Sequence, residues 1–164
     1  MTTAGTAAWP ERGLRLPPVG PSVPRARRYV REQLLSAVPE DVVDAAELCV
    51  SELATNSVLH AATEFVVELA RSGDAVRLAV SDRSPVLPRT VPYGTTAATG
   101  RGLHLVARLS AHWGVQALTG TGKTVWCEVA GSAPELDVDD VLAGWQDELD
   151  DRPGAPAAAP AAGP

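Results

Sequence analysis

The chain has 164 residues, 45% hydrophobic and only 4% aromatic, which suits one domain of ordinary size with a core of Val, Leu and Ala. Its net charge of −6 is uneven: residues 1–134 carry +1 and residues 135–164 carry −7, so the body lacks the concentrated basic surface of a nucleic-acid binder. No apolar run approaches the ~20 residues that span a bilayer, and no apolar stretch follows basic residues at the N-terminus as in a signal peptide, so a soluble cytoplasmic protein is expected.

Residues 1–21 hold Pro10, Pro17, Pro18 and Pro21 and read as an arm, with GLRL (13–16) as a short edge strand. Ser22 as N-cap and Pro24 in the first turn then signal a helix. Ala26, Val30, Leu34 and Leu35 recur at helical spacing beside Arg27, Arg28 and Arg31, which predicts an amphipathic helix over 23–37 with one basic face, ended by Pro39. A longer helix is expected over 40–61, with Val42, Val43, Ala46, Cys49, Val50, Leu53 and Val58 as a broad apolar face.

The period then shifts towards two. EFVVELARSG (64–73) and DAVRLAVSD (74–82) read as strands joined by a hairpin turn at Ser72-Gly73-Asp74. A loop rich in Pro, Gly and Thr (83–100) leads to a short helix over 102–110. WGVQAL (113–118) and TVWCEVA (124–130) are two further strands around TGTGK (119–123). Tight turns between neighbouring strands imply antiparallel pairing. Few helices against such a sheet imply an α+β fold, a two-layer sandwich, over residues 22–131. Cys49 and Cys127 lie in apolar runs, which favours buried free thiols, with a disulfide as the alternative. Segment 132–152 is acidic, with Val138, Val141, Leu142, Trp145 and Leu149 at helical spacing. PGAPAAAPAAGP (153–164) is low-complexity tail.

Four stretches carry candidate chemistry. In SELATNSVLHA (51–61), Glu52, Asn56 and His60 stand four residues apart and share a helix face. A solvated stripe accounts for His60 taken alone. It accounts less well for Glu52 and Asn56, which are crowded by Leu53, Ala54, Val58 and Leu59. A Glu able to take a proton from a hydroxyl, one turn from an Asn able to ligate Mg²⁺, suits phosphoryl transfer. In VSDRSP (80–85), Asp82 ends a strand. It is either a turn former before Pro85 or a buried carboxylate that accepts hydrogen bonds from the amino group of a base. TGRGLHLV (99–106) places two glycines around an Arg before a helix, an arrangement open to an anion or to a plain flexible loop. GTGKT (120–124) mimics the end of a P-loop, but Ala117 stands where that motif needs Gly and a strand follows instead of a helix, so the P-loop reading fails.

In their order and spacing, SELATNSVLHA, VSDRSP, TGRGLHLV and GKTVWCEV resemble the GHKL (histidine kinase-like) ATPase superfamily over about residues 20–130. More narrowly they resemble the stand-alone anti-sigma-factor serine/threonine kinases of actinobacteria. The resemblance implies a Bergerat-type fold, with a mixed, mainly antiparallel sheet covered by helices on one face. It implies ATP and Mg²⁺ as cofactors, Glu52 as general base and Asn56 as Mg²⁺ ligand. Asp82 would contact the adenine amino group; Gly100, Arg101 and Gly102, with Leu103 after them, would lie at the phosphates; Thr124 would lie near the adenine. His60 receives no role. The first glycine box of the family, Asp-x-Gly-x-Gly, reads Asp82-Arg83-Ser84-Pro85-Val86 here and lacks both glycines.

The implied function is phosphorylation of a Ser or Thr on an antagonist (anti-anti-sigma) protein, with partner switching towards a sigma factor. A homodimer is an expected assembly, and neither nucleic acid nor membrane is an expected partner. A non-catalytic partner-binding module and a degenerate member with neither activity are the alternatives. Segment 137–151 is expected to be a solvated helix, with a final helix packed through Trp145 and Leu149, a docking arm or an autoinhibitory mimic of an anionic partner as the alternatives.

Overall fold

The computed structural model describes residues 8–88 and 101–131, all within one of the two compact units into which the chain divides. The acidic segment, the Ala/Pro tail, Gly100 and most of the 83–100 loop lie outside the described residues. The described elements are strand β1 (Leu14–Leu16), helix α1 (Ser22–Leu34), helix α2 (Glu40–Asn56), a π-helical turn (Ser57–Ala61), strands β2 (Phe65–Ser72) and β3 (Ala75–Asp82), helix α3 (Arg101–Leu109), and strands β4 (His112–Ala117) and β5 (Lys123–Val129).

The first helix follows its apolar spacing. Ser22, Ala26, Val30 and Leu34 are buried at four-residue intervals, while Arg27 and Arg31 reach across to Ser51 and Glu47 of α2 at 3.0 and 2.9 Å. Its start differs from expectation. Pro21 is the N-cap, and Ser22 is already helical and donates its hydroxyl to the Pro17 carbonyl (2.7 Å) instead of capping. The helix also ends at Leu34, short of 37; Leu35 turns extended and Ser36 takes φ 65°. Pro39 then serves as the N-cap of α2, with Glu40 and Asp41 in the first turn where the helix dipole favours negative charge.

The expected helix over 40–61 forms, but its last turn widens to π geometry. Ala62 closes that turn in the left-handed region (φ 51°), donating its N–H to Ser57 O at 3.0 Å. Periodic apolar residues do not distinguish an α turn from a π turn, so the sequence carries no sign of the change.

The five strands lie in the order β1-β2-β3-β5-β4, each neighbouring pair antiparallel. Ser72 pairs with Ala75 across the two-residue turn at Gly73-Asp74, as the hairpin signal predicted. Residues directly opposite in an antiparallel ladder share a face. One face therefore carries Phe65, Val67, Leu78, Val80, Val125, Cys127 and Val129, all buried. Helix α2 packs on β3 and β5, α1 on α2 and β1, and α3 on α2, β4 and β5, so these helices form one layer. The observed architecture is the two-layer α+β sandwich of the Bergerat type that the sequence implied. Cys49 and Cys127 are free thiols in this core. The Cys127 thiol is pushed well up by its hydrogen bond to Cys49 and by burial. The other face is more polar, with Ser81 bonded to Thr124 (2.7 Å) and Arg77 held between Glu128 (2.8 Å) and the Trp126 ring (3.9 Å).

Candidate functional site

Between the helix layer and one end of the sheet lies a cavity of about 470 Å³, within the usual range for small-molecule sites. Asn56, Ser57 and His60 line it from the end of α2 and the π turn. Val80 and Asp82 line it from β3, Leu103 from α3, and Lys123 and Val125 from β5. Ser84, Val86 and Leu87 reach it from the chain that follows β3.

At the sheet end, Asp82 stands opposite Lys123 in the ladder. Lys123 Nζ donates to Asp82 Oδ1 at 2.8 Å, and both side chains are nearly closed to water, 8% and 4% exposed. The same carboxylate accepts the Ser84 N–H on Oδ1 (2.9 Å), and the Ser57 hydroxyl lies 3.4 Å from Oδ2. Gly122 makes this pairing possible. It has φ 137°, and a Cβ there would run into the Asp82 carbonyl oxygen. Only a residue without a side chain lets β5 begin so close to the end of β3.

The helix end is built differently. Glu52 lies outside the lining, beside the first turn of α3. A Cβ added at Gly102 would sit 2.5 Å from Glu52 Oε2, so the glycine leaves the carboxylate its place. Burial raises the Glu52 pKa above its ordinary 4.5. The side chains of Glu52, Asn56 and His60 make no hydrogen bond to another described residue. The structure thus brings Asn56, Asp82 and Leu103 together around one cavity and sets Glu52 against Gly102 at its edge. Arg101 opens α3, and Gly100 lies outside the described residues.

Thr124 is not in this group. It stands on the opposite face of the sheet, bonded to Ser81, and Lys123, one residue earlier, takes the cavity-facing position. Sequence reasoning passed over Lys123, although a signal was present. Val125 and Cys127 share its parity along the strand, and a Cys read as buried fixes which parity faces the helices. Ser57 was missed for want of any such signal, whereas Ser84 and Val86, which stand where the first glycine box has its glycines, do line the cavity.

A two-layer α+β domain with a mostly apolar cavity between helix layer and sheet, carrying a few convergent polar groups, defines the class. Residues 19–128 match the histidine kinase-like ATPase domain, and the chain belongs to that family. No curated protein matches the chain. Among solved structures, the RsbU and RsbW domains of Rv1364c from Mycobacterium tuberculosis align over 74% of this chain and 33% of that one, with 20% identity and a TM-score of 0.54. This chain therefore spans about a third of that structure's length. The histidine kinase domain of the Erythrobacter litoralis EL346 blue-light activated histidine kinase aligns over 84% of this chain and 66% of its own (21% identity, TM-score 0.43). A second structure of that kinase aligns over 72% and 43% (24% identity, TM-score 0.44). Among the described residues, no helix is long and apolar enough to cross a membrane.

Proposed function

We propose that this protein is a nucleotide-dependent regulatory kinase that phosphorylates a Ser or Thr of an antagonist protein and thereby switches between that antagonist and a sigma factor. The observation that carries the reading is the clustering of Asn56, Asp82 and Leu103 around one cavity, with the half-buried Glu52 carboxylate at its edge against Gly102. The likeness in fold to a structure containing an RsbW domain supports the choice of partner class.

The donor set decides how a metal would be held. Among the described residues no cluster of three His, Cys, Asp or Glu side chains could cage a cation. Asn56 offers a single amide oxygen, which fits Mg²⁺, an ion usually held by one or two protein oxygens together with phosphates and water. Bound there, Mg²⁺ would neutralise charge on the transferring phosphoryl group. Glu52 would accept the hydroxyl proton of the target side chain as its oxygen bonds to the γ-phosphorus of ATP and the bond to the β-phosphate oxygen breaks, releasing ADP. The raised Glu52 pKa makes it a stronger base than an exposed carboxylate. The α3 N-terminus, with Gly100, Arg101 and Gly102, would face the phosphates. Leu103 and Val125 would give the base an apolar wall.

Calorimetry of the full chain with Mg²⁺-ATP tests this. Binding is expected to require Mg²⁺ and to weaken about tenfold or more in Asn56→Ala, a loss typical of one charge-assisted contact. Glu52→Ala is expected to keep nucleotide but lose phosphate transfer to a serine-bearing antagonist. Absence of binding at millimolar ATP would overturn the kinase reading. One observation favours a second reading, a partner-binding module without phosphoryl transfer: Asp82, the candidate reader of adenine, is already engaged by Lys123.

A further inference from the structure

Gly102 is the second residue of α3, and nothing in its backbone calls for glycine. Its φ is not positive, and alanine is favoured over glycine within a helix. A phosphate contact does not call for glycine either. Backbone N–H groups hold an anion at a helix N-terminus, and every residue except proline supplies one. Nor does Gly102 line the cavity. The space that a side chain would fill is taken by a single residue. The three atoms nearest to a Cβ built at Gly102 all belong to Glu52: Oε2 at 2.5 Å, Cβ at 3.3 Å and Cδ at 3.4 Å. The acid lies along the bare face of the glycine from its stem to its carboxylate.

Of these atoms, Oε2 is the free end of a flexible side chain. A methyl group at 102 would therefore displace the carboxylate more readily than it would part α2 from α3. The oxygen would have to retreat by about 1 Å to regain ordinary contact. For the fold such a retreat costs little. For a base it costs much, because a misplacement of about 1 Å can slow a reaction about a hundredfold. Withdrawal from α3 also returns the carboxylate towards water and undoes the burial that raises its pKa.

We propose that Gly102 is a positioning residue of the kinase site: its missing side chain is the seat that holds the Glu52 carboxylate at the edge of the cavity. This role rests on the kinase reading, since a base needs placing only where a proton is to be taken. The Gly102 N–H stays available to a phosphate; what the absent side chain provides is room for the base.

The test compares full-length wild type with Gly102→Ala, Glu52→Asp and the double variant. Gly102→Ala is expected to melt no lower than wild type, since alanine suits the helix. A clearly lower Tm would mean that backbone gives way instead of the carboxylate, and would overturn the seat. Without nucleotide, the Glu52 carboxyl carbon is titrated by ¹³C NMR and identified by its loss in Glu52→Gln. The wild type is expected to titrate above 4.5 and Gly102→Ala closer to that value. An unchanged midpoint would also overturn the seat, whatever nucleotide does. With Mg²⁺-ATP alone, water stands in for the target hydroxyl. Its oxygen bonds to the γ-phosphorus, its proton passes to Glu52, and the bond to the β-phosphate oxygen breaks, releasing ADP and phosphate. Gly102→Ala is expected to slow ADP release at saturating nucleotide about a hundredfold while affinity stays within about twofold. In the double variant the shorter acid clears the methyl group, so its rate is expected within about twofold of Glu52→Asp alone. Losses that multiply, or a loss of affinity with the saturated rate unchanged, would overturn the positioning role and assign the glycine to the phosphates. A wild type that binds no Mg²⁺-ATP at millimolar concentration, or releases ADP no faster than Glu52→Ala, would overturn the kinase reading and the positioning role with it. The titration would then report separately whether Gly102 seats the carboxylate.

Discussion

At the sheet end of the cavity, Asp82 and Lys123 are nearly closed to water and bonded to each other at 2.8 Å; at the helix end, Glu52 and Asn56 are part-exposed, His60 is exposed, and none of the three side chains bonds to another described residue. The sheet end has settled its charges internally. Each charge there depends on the other, and the ladder register fixes their distance. The helix end keeps its polar groups uncommitted, and its only sign of confinement is the upward shift of the Glu52 pKa by burial. Groups held by one another stabilise a fold, whereas groups without partners are available to a ligand. The two ends therefore differ most in how much stability they contribute, and substitutions at each end measure that difference.

The largest effect is expected where the sheet-end pair is broken on one side. Lys123→Met leaves the Asp82 carboxylate buried without its counter-charge, a change that costs about 3–5 kcal/mol. Urea unfolding at neutral pH should show this as a lower midpoint with little change in slope. Replacing both partners, as Asp82→Leu/Lys123→Met, should recover most of the loss, since an apolar pair of similar volume is often no worse than a buried ion pair. A single variant within about 0.5 kcal/mol of wild type, the range of ordinary surface changes, would erase the contrast between the two ends.

Next in size is Gly122→Ala. The new Cβ meets the Asp82 carbonyl oxygen and lies 3.2 Å from Arg83 Cα, both backbone atoms that cannot swing aside, and φ 137° is closed to other residues. Strain and displacement together are expected to cost about 2–3 kcal/mol, the upper range for a residue forced into a disallowed conformation. The loss should couple to Lys123→Met in a double-mutant cycle, because separating β5 from β3 also separates the ion pair. Additive losses would show that the glycine acts on the turn alone.

The sheet end also shows what could and could not be read from the chain. Both hairpins, the edge strand and the two long helices followed from alternation, helical spacing and a two-residue turn. The position of Asp82 at the end of β3 followed from the same pattern. What escaped was the place of Lys123. The resemblance put Thr124 near the adenine, whereas the ladder sets Thr124 opposite Ser81 on the far face and gives the cavity-facing position to Lys123. At the helix end, four-residue spacing correctly put Glu52 and Asn56 on one side of α2. The π turn lies beyond the reach of such patterns, because it depends on tertiary packing and leaves the apolar pattern unchanged. The contact between Glu52 and Gly102 joins residues far apart in sequence, so no local spacing could announce it.

A smaller and opposite effect is expected at the end of the π turn. Ala62 sits at φ 51°, where a Cβ costs about 1–2 kcal/mol. Ala62→Gly removes that cost but adds backbone entropy to the unfolded chain, so a net gain of about 0.5–1 kcal/mol is expected. Thermal unfolding would detect a rise of a few degrees, about 4–8 °C per kcal/mol for a domain of this size. A fall in stability would mean that the left-handed residue is held by contacts its methyl group makes.

The smallest effect tests the helix end on its own terms. Burial raises the Glu52 pKa above 4.5, so the folded protein holds the Glu52 proton more tightly than the unfolded chain does. The stability this linkage contributes is fully present below about pH 4.5 and is lost as pH rises through the folded-state value. Glu52→Gln removes the ionisation. Its stability relative to wild type is therefore expected to climb from pH 4.5 upward and to level off once wild-type Glu52 is fully charged. Because Glu52 is only partly buried the climb should be modest, well below the loss from Lys123→Met. Glu68 is raised by burial too and tilts both proteins alike, so the difference between the two unfolding curves isolates Glu52. Parallel curves from pH 4 to 7 would mean that the carboxylate is as well solvated in the folded protein as in the unfolded chain. Its place against Gly102 would then give it no more basicity than any surface glutamate, and the case for Glu52 as the proton acceptor would lose its physical ground.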